Sequence, residues 1–201
     1  QGMYYWDDQG RKVLDGFSLA LSAGEIVCLL GESGSGKSTA LRVAAGIQRI
    51  DSGTVAINDE IVSGGGAHVP PDRRGIGLMF QDFALFPHLT LLQNVTFGLK
   101  RLGRAAAVTQ ARQALRRVGL EDRAEDYPHM LSGGQQQRLA LARTIAPRPG
   151  VLLLDEPFSS LDARLREAVR AEALAVLRET RATTIIVTHD PEEAMILGDR
   201  I

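Results

Sequence analysis

The chain has 201 residues, of which 44% are hydrophobic and 23% charged, with a formal net charge of −1. This length suits one domain, and the near-neutral charge argues against a broad nucleic-acid-binding surface. The single Cys28 excludes an internal disulfide, and no apolar run approaches the roughly 18 residues that span a membrane. With no visible signal peptide, we expect a cytosolic compartment.

The chain begins with a group of aromatic residues, Met3-Tyr4-Tyr5-Trp6. This run favours an edge strand, or it supplies a ring that stacks on a nucleotide base. Residues 7–10 predict a turn, and the alternation at residues 17–21 predicts a second strand.

A glycine-rich stretch follows an apolar run at residues 26–30, which predicts a buried parallel strand. The stretch fits the G-x-x-x-x-G-K-[ST] pattern of a phosphate-binding loop, and its residues are Gly31, Glu32, Ser33, Gly34, Ser35, Gly36, Lys37, Ser38 and Thr39. Glycines let backbone N–H groups curl around phosphates. Lys37 adds a charge for the β- and γ-phosphates, and the Ser38 hydroxyl suits Mg²⁺. Residues 39–45 predict a helix ending at Gly46, whose N-terminus faces the phosphates.

The middle of the chain alternates short strands with turn signals. Residues 54–57 predict a strand, whereas the glycines at 63–66 and the prolines at 70–71 predict a flexible surface linker. Residues 76–80 predict a strand ending at Gln81, where α/β folds place ligand-contacting groups.

A helical insertion follows, since residues 91–126 lack strand character. Its central helix ends at Gly119 and has an arginine-rich face that we expect to be solvated. The residues that recur at helical spacing are Ala105, Val108, Ala111, Leu115 and Val118, opposite Arg112, Arg116 and Arg117.

Ser132 and Gln135 form the capping-box pattern at the start of another helix. An ordinary cap would explain them. However, Gly133 and Gly134 leave the first N–H groups of that helix unshielded, which favours a second anion site.

Acidic residues end the next strand, at residues 151–154. Asp155 is placed to hold Mg²⁺, and Glu156 could deprotonate an attacking water. A further strand at residues 183–187 is followed by His189, a candidate γ-phosphate contact.

Six segments together resemble the ATP-binding cassette of ABC transporters over nearly the whole chain. The matches are Walker A at residues 31–39, the Q-loop at Gln81, the signature at residues 131–135, Walker B at residues 151–157, the D-loop at residues 159–162 and the switch histidine at His189.

The resemblance implies an α/β fold: a P-loop NTPase core with a mostly parallel sheet flanked by helices and an antiparallel β subdomain. The single cassette would have this core at residues 1–81 and 147–201. An inserted helical subdomain at residues 82–146 would carry the signature.

The resemblance also implies a mechanism in which two copies pair head to tail around ATP and Mg²⁺. Each ATP would lie between one chain's Walker A loop and the other chain's signature, Ser132-Gly133-Gly134-Gln135. The implied roles are Glu156, His189, Gln81 and Lys37 in catalysis, Ser38, Gln81 and Asp155 around the metal, and Asp162 and Tyr5 at the nucleotide. Tyr5 is preferred over Tyr4 and Trp6 as the base-stacking ring.

Residues 83–90 and Tyr127-Pro128-His129-Met130 resemble importers of the metal, anion and polyamine type. This implies membrane-spanning permease subunits near residues 81–90, an indirect periplasmic or extracellular substrate-binding protein, no nucleic acid, and a peripheral location on the cytoplasmic face of the cell membrane. Residues 69–75 resemble ferric-iron importers most, although spermidine/putrescine, sulfate and molybdate systems share most of the pattern. Such chains usually continue past residue 201, so we expect a fragment.

Other interpretations lack their signatures. A non-transport ABC ATPase of DNA repair or translation would show a long coiled coil or a second cassette. A GTPase needs Asn-Lys-x-Asp, and neither Asn58 nor Asn94 precedes Lys. A P-loop kinase would not need residues 132–135. A binding module without hydrolysis is disfavoured by Glu156 and His189.

Overall fold

The computed structural model describes residues 2–7, 9–159, 161 and 163–201, with backbone alone at 163–165. The strands are β1 Met3–Trp6, β2 Lys12–Phe17, β3 Ile26–Leu30, β4 Val55–Ile57, β5 Glu60–Gly64, β6 Ala67–His68, β7 Ile76–Met79, β8 Val151–Asp155 and β9 Thr183–Thr188. The helices are α1 Lys37–Ala45, α2 Leu91–Thr96, α3 Arg104–Arg117, α4 Gly133–Ile145, α5 Ala163–Thr180 and α6 Pro191–Leu197.

A four-stranded parallel sheet of order β3-β9-β8-β7 forms the centre of the fold. Strands covered on both faces need apolar residues at successive positions, which explains the runs in β3, β8 and β9. Leu152 and Leu154 pack in a cluster with α4, α5 and α6, whereas Leu153 packs on the opposite face with Leu41 of α1. The predicted α/β class, with helices on both faces of a parallel sheet, is confirmed.

Antiparallel strands form two smaller sheets, β1-β2 and β4-β5-β6. Leu14 of β2 packs with Ala40 and Val43 of α1, so the β1-β2 pair lies directly on the helix that follows the glycine-rich loop. The predicted antiparallel component is therefore present and contacts the loop region.

A separate apolar cluster joins α2, α3 and α4. Its members include Leu91 and Val95 of α2, Ala111 and Leu115 of α3, and Leu139 of α4. Gly119 adopts φ 66 just after α3, as a helix-terminating glycine does. On the outer face, Arg112 and Arg116 pair with Glu125 and Glu121, so the predicted solvated arginine face is confirmed. No helix in the part of the chain that the structure describes is long and apolar enough to cross a membrane.

Three sequence predictions about local structure are wrong. Residues 18–21 form no strand, because β2 ends at Phe17 and Leu19 and Leu21 pack instead against the cluster of α1 and the sheet. Residues 63–66 are not a linker but part of the β5-β6 hairpin, whose three glycines all have positive φ. Ala105 is exposed, and Ala107 takes the buried position in α3.

Candidate functional site

The glycine-rich loop connects the end of β3 to the start of α1. Gly36 caps α1 with φ 92, a left-handed conformation that favours glycine. A Cβ at this position would lie 2.7 Å from the Val13 carbonyl oxygen, so β2 also presses on the loop here. The sequence therefore folds into a tight turn whose next N–H groups, at the start of α1, are open to a ligand.

The side chain of Lys37 folds back over this loop, and hydrogen bonds to the loop hold its ammonium group there. Its Nζ donates to the carbonyl oxygens of Gly31 and Glu32, both at 2.7 Å, and lies 3.4 Å from Ser35 Oγ. The loop thus combines a cation with a helix N-terminus, which is the arrangement that binds a phosphate chain.

Ser38 connects the loop to the end of β8. Its Oγ donates to Asp155 Oδ1 at 2.7 Å, and Asp155 is buried. A hydroxyl and one carboxylate are oxygen ligands of the type Mg²⁺ takes when nucleotide phosphates complete its coordination. Among the described residues, no cluster of three His, Cys, Asp or Glu could hold a metal without such help. The donor set therefore fits a Mg²⁺ ion that arrives with a nucleotide.

Glu156 is the point where three strand ends meet. Its Oε2 accepts a hydrogen bond from Gln81 Nε2 at 3.3 Å, after β7, and lies 3.2 Å from His189 Nδ1, after β9. The Glu156 side chain is 15% exposed, whereas that of His189 is 55% exposed. A carboxylate held in this way and still open to water is suited to act as a general base.

The backbone conformation at Glu156 helps to set the position of this carboxylate. Glu156 has φ 45, uncommon for a residue other than glycine, and its N–H donates to the Val187 carbonyl oxygen at 2.9 Å. Ser159 donates to the Glu156 carbonyl oxygen through both its N–H and its hydroxyl. Local strain of this kind is often found at functional positions.

A buried ionic group supports the segment that carries His189. Arg170 of α5 contacts Asp190 at 2.6 Å and Glu193 at 3.4 Å, and Thr188 Oγ1 donates to Glu193. Burial raises the pKa of Glu193. Burial also acts to raise the pKa of Asp190, but hydrogen bonds from Arg170 and from the Glu193 N–H outweigh it and lower that pKa. Residues on both sides of His189 are therefore fixed, while its ring remains exposed.

The second predicted anion site lies at the start of α4. Ser132 and Gln135 form the predicted capping box, with Ser132 Oγ accepting from the Gln135 N–H at 3.4 Å. Ser132 and Gly133 are exposed, as predicted. Gly134 is buried beside Val169 of α5, so the prediction of an unshielded glycine is wrong at that position. Among the described residues, no hydrogen bond or ion pair joins this group to residues 31–39. The described residues of one copy therefore show no polar bond between the two groups.

The sequence also predicts nucleotide contacts at Tyr5 and Asp162. Tyr5 is half-buried among the residues that pack on α1, and its hydroxyl accepts a hydrogen bond from Gln48 at 2.9 Å. This placement does not support Tyr5 as the base-stacking ring. Tyr4 and Trp6 stack together at 6.1 Å, beside Lys12, and Trp6 is exposed. Asp162 lies outside the described residues.

Sequence reasoning missed the side chains that hold the segment after Gln81. Arg143 of α4 donates to the carbonyl oxygens of Phe83 and Ala84, which both have positive φ. The buried Asn94 Nδ2 lies within hydrogen-bond distance of three carbonyl oxygens between residues 86 and 90, and its Oδ1 accepts from the Phe86 N–H. Neither residue belongs to a motif, so their sequence positions carried no signal for this role.

Comparison with known proteins gives one consistent family. The family model described as "ABC transporter" matches residues 14–159. The chain is 46% identical over 194 residues to a spermidine/putrescine import ATP-binding protein of Marinobacter nauticus, covering 96% of the chain and 51% of that protein. It is 48% identical over 195 residues to a putative 2-aminoethylphosphonate import ATP-binding protein of Salmonella typhimurium, covering 96% and 52%.

A sulfate/thiosulfate import ATP-binding protein of Mycobacterium tuberculosis is 49% identical over 190 residues, covering 94% of the chain and 53% of that protein. The chain thus spans about half the length of the curated relatives it matches. Among solved structures, the dimeric bacterial ABC transporter cassette MJ0796 has a TM-score of 0.86 at 31% identity, covering 100% of this chain and 91% of that one. The same values hold for MJ0796 in a post-hydrolysis state bound to ADP and Pi.

Proposed function

The chain belongs to the ABC transporter family, and on that premise we propose that it is the ATP-binding and ATP-hydrolysing subunit of an importer. One observation carries the proposal. Gln81 and His189 both contact one carboxylate oxygen of Glu156. Glu156 directly follows Asp155, which accepts a hydrogen bond from Ser38 of the glycine-rich loop. A candidate general base thus adjoins a candidate nucleotide site.

In this proposal residues 31–39 bind the triphosphate. Backbone N–H groups and the start of α1 face the anion, and Lys37 supplies a positive charge held within the loop. Ser38 and Asp155 would hold Mg²⁺, with Gln81 as a further contact. When bound there, Mg²⁺ would supply positive charge against the phosphates.

Glu156 would take the proton from the attacking water. Gln81 donates to Glu156 Oε2, and His189 Nδ1 contacts the same oxygen. Both side chains would therefore orient the carboxylate. Because its side chain is 55% exposed, His189 would also contact a nucleotide phosphate.

The site would be completed by a second copy of the chain. Ser132 and Gly133 are exposed at the start of α4, and residues 132–135 make no hydrogen bond to the loop of their own chain among the described residues. A head-to-tail partner would bring that N-terminus to the nucleotide on residues 31–39. MJ0796, which has the same fold, is a dimeric cassette, and this supports the pairing. ATP would then hold the pair together, and hydrolysis would release it.

We further propose that residues 81–90 contact membrane-spanning permease subunits on the cytoplasmic face of the cell membrane, and that a substrate-binding protein acts with them indirectly. The helical subdomain would be residues 82–146, because α2, α3 and α4 share a separate apolar cluster. Three relatives named for import support transport over DNA repair or translation. These relatives are named for three different cargoes, none of them iron. The proposal of ferric iron as cargo therefore depends on residues 69–75 alone.

Phosphate release tests the enzymatic part of this proposal. We expect Glu156→Gln to lose at least about a hundredfold in rate, as removal of a general base does, while ATP binding is retained. Glu167→Gln, an exposed change on α5, serves as the matched control and should keep the full rate. Equal rates for Glu156→Gln and the control would show that Glu156 is not the base.

A further inference from the structure

Arg123 lies outside every motif and contacts Gln135, at the predicted second anion site. It ends a short 3-10 helix, Glu121–Arg123, that precedes α4 in the chain. Its Nη1 donates to Gln135 Oε1 at 3.0 Å, and its Nη2 donates to the Met130 carbonyl oxygen at 3.1 Å. Its Nε pairs with Asp126 Oδ2 at 2.7 Å. One planar guanidinium therefore joins the first turn of α4 to the segment that leads into it.

The contact to Gln135 acts on the capping box itself. Gln135 Oε1 also accepts from the Ser132 N–H at 3.0 Å, so two donors hold one amide oxygen. This double contact fixes the orientation of the Gln135 side-chain amide, with its oxygen toward Ser132 and Arg123. Because a guanidinium has a rigid fork of donors, it fixes orientation better than an ammonium would.

We propose that Arg123 is a positioning residue for the nucleotide of the partner copy. It would hold the first turn of α4 ready for the γ-phosphate, so that pairing does not have to order this turn. Asp126 neutralises much of the Arg123 charge, so the effect comes from geometry. This inference rests on the proposed head-to-tail pairing.

The surroundings of Arg123 separate this role from a general structural one. Its side chain is 33% exposed, and Asp126 is 30% exposed, so water can replace the lost contacts when the guanidinium is removed. Without Arg123 the capping box between Ser132 and Gln135 remains, but Gln135 Oε1 loses one of its two donors. The fold should therefore survive the substitution, whereas the first turn of α4 should be held less firmly.

The test compares Arg123→Ala with Arg116→Ala in a Glu156→Gln background. Arg116 of α3 pairs with Glu121, which lies on the same short helix as Arg123. Among the described residues Arg116 makes no hydrogen bond to Ser132 or Gln135, so its substitution is a matched loss of an exposed ion pair. The fraction of dimer is measured by sedimentation against ATP-Mg²⁺ concentration. ATP affinity is measured separately at dilutions where the chain is monomeric.

We expect Arg123→Ala to raise the ATP concentration for half-maximal dimerisation about tenfold, the size of one charge-assisted hydrogen bond. Monomer affinity and Tm should match those of Arg116→Ala. Arg123→Lys, which keeps the charge without the fork, should give an intermediate shift and provides the test should the alanine variant not fold.

Equal dimerisation of the Arg123 and Arg116 variants would overturn the role of Arg123 alone. A parallel loss of Tm and of monomer affinity would assign Arg123 to the fold instead. If the Glu156→Gln parent forms no dimer with ATP, the head-to-tail pairing is wrong, and the proposal for Arg123 fails with it.

Discussion

Arg74 provides a quantitative test of how the helix after the phosphate-binding loop is held. This buried guanidinium, 5% exposed, donates to the carbonyl oxygens of Val43 and Ala44 in the last turn of α1. It also donates to the Val69 and Val62 carbonyl oxygens and to Ser63 Oγ. Arg74 therefore fastens the C-terminal end of α1 to the β4-β5-β6 sheet.

The expected cost of Arg74→Met follows from what remains bonded. The Val43 oxygen keeps the Gly46 N–H, and the Val62 oxygen keeps the Val69 N–H. The Ala44 and Val69 carbonyl oxygens each lose the hydrogen bond from the guanidinium, at about 1–2 kcal/mol each. Burial lowers the pKa of Arg74, so removing the charge recovers some desolvation energy. We expect a net loss near 2–3 kcal/mol in the free energy of unfolding.

Urea denaturation, followed by fluorescence of the only tryptophan, Trp6, measures this loss. Arg73→Met is the matched control, because Arg73 is exposed next to Arg74, and it should change the free energy by less than about 0.5 kcal/mol. If both variants unfold at the same urea concentration, the contacts of Arg74 do not hold α1, and the reasoning is refuted.

Three further outcomes are expected. Leu152→Ala empties a fully buried position in β8 and should cost about 3 kcal/mol in urea unfolding; a loss under about 1 kcal/mol would contradict the core position. Burial and the charges of Glu193 and Asp199 raise the pKa of Cys28 to about 12, so alkylation by iodoacetamide at pH 8 should be about a thousandfold slower than in urea, and equal rates would refute this. Hydrogen bonds from Arg178 and the Ile26 N–H lower the pKa of Asp199 from 3.8; the Tm advantage over Asp199→Asn should therefore be full above about pH 4 and shrink as the pH falls, whereas an advantage that grows with acid would contradict it.

Continuous apolar runs made the central sheet predictable. Residues 26–30, 151–154 and 183–187 all form parallel strands within a residue of the expected bounds, because strands buried on both faces leave a simple pattern. The family assignment from the six motifs is confirmed by the family model. Helix α1 begins at Lys37, two residues earlier than expected, since the loop passes directly into its first turn.

The errors arose where one pattern has two physical causes. Alternating apolar residues at 17–21 indicated a strand, but Leu19 and Leu21 are buried by an irregular segment that packs against the sheet. Three consecutive glycines indicated flexibility, yet each takes a positive φ that a tight hairpin requires. Local sequence does not distinguish these cases, because the deciding contacts come from distant parts of the chain.

The supporting side chains of the candidate site were beyond sequence reasoning for a related reason. Arg74, Arg123 and Arg170 look like the arginines of a solvated face, as Arg116 is. Their roles depend on carbonyl and carboxylate oxygens that the fold brings together over many residues. The motifs could indicate the candidate nucleotide-binding residues, but not the side chains that hold those residues in place.

The rate of ATP hydrolysis per chain, measured against chain concentration, tests most directly the claim that each site needs two copies. We predict that this rate rises with concentration and levels off in the range where ATP-bound Glu156→Gln changes from monomer to dimer. A rate per chain that stays constant on dilution through that range would contradict the shared site.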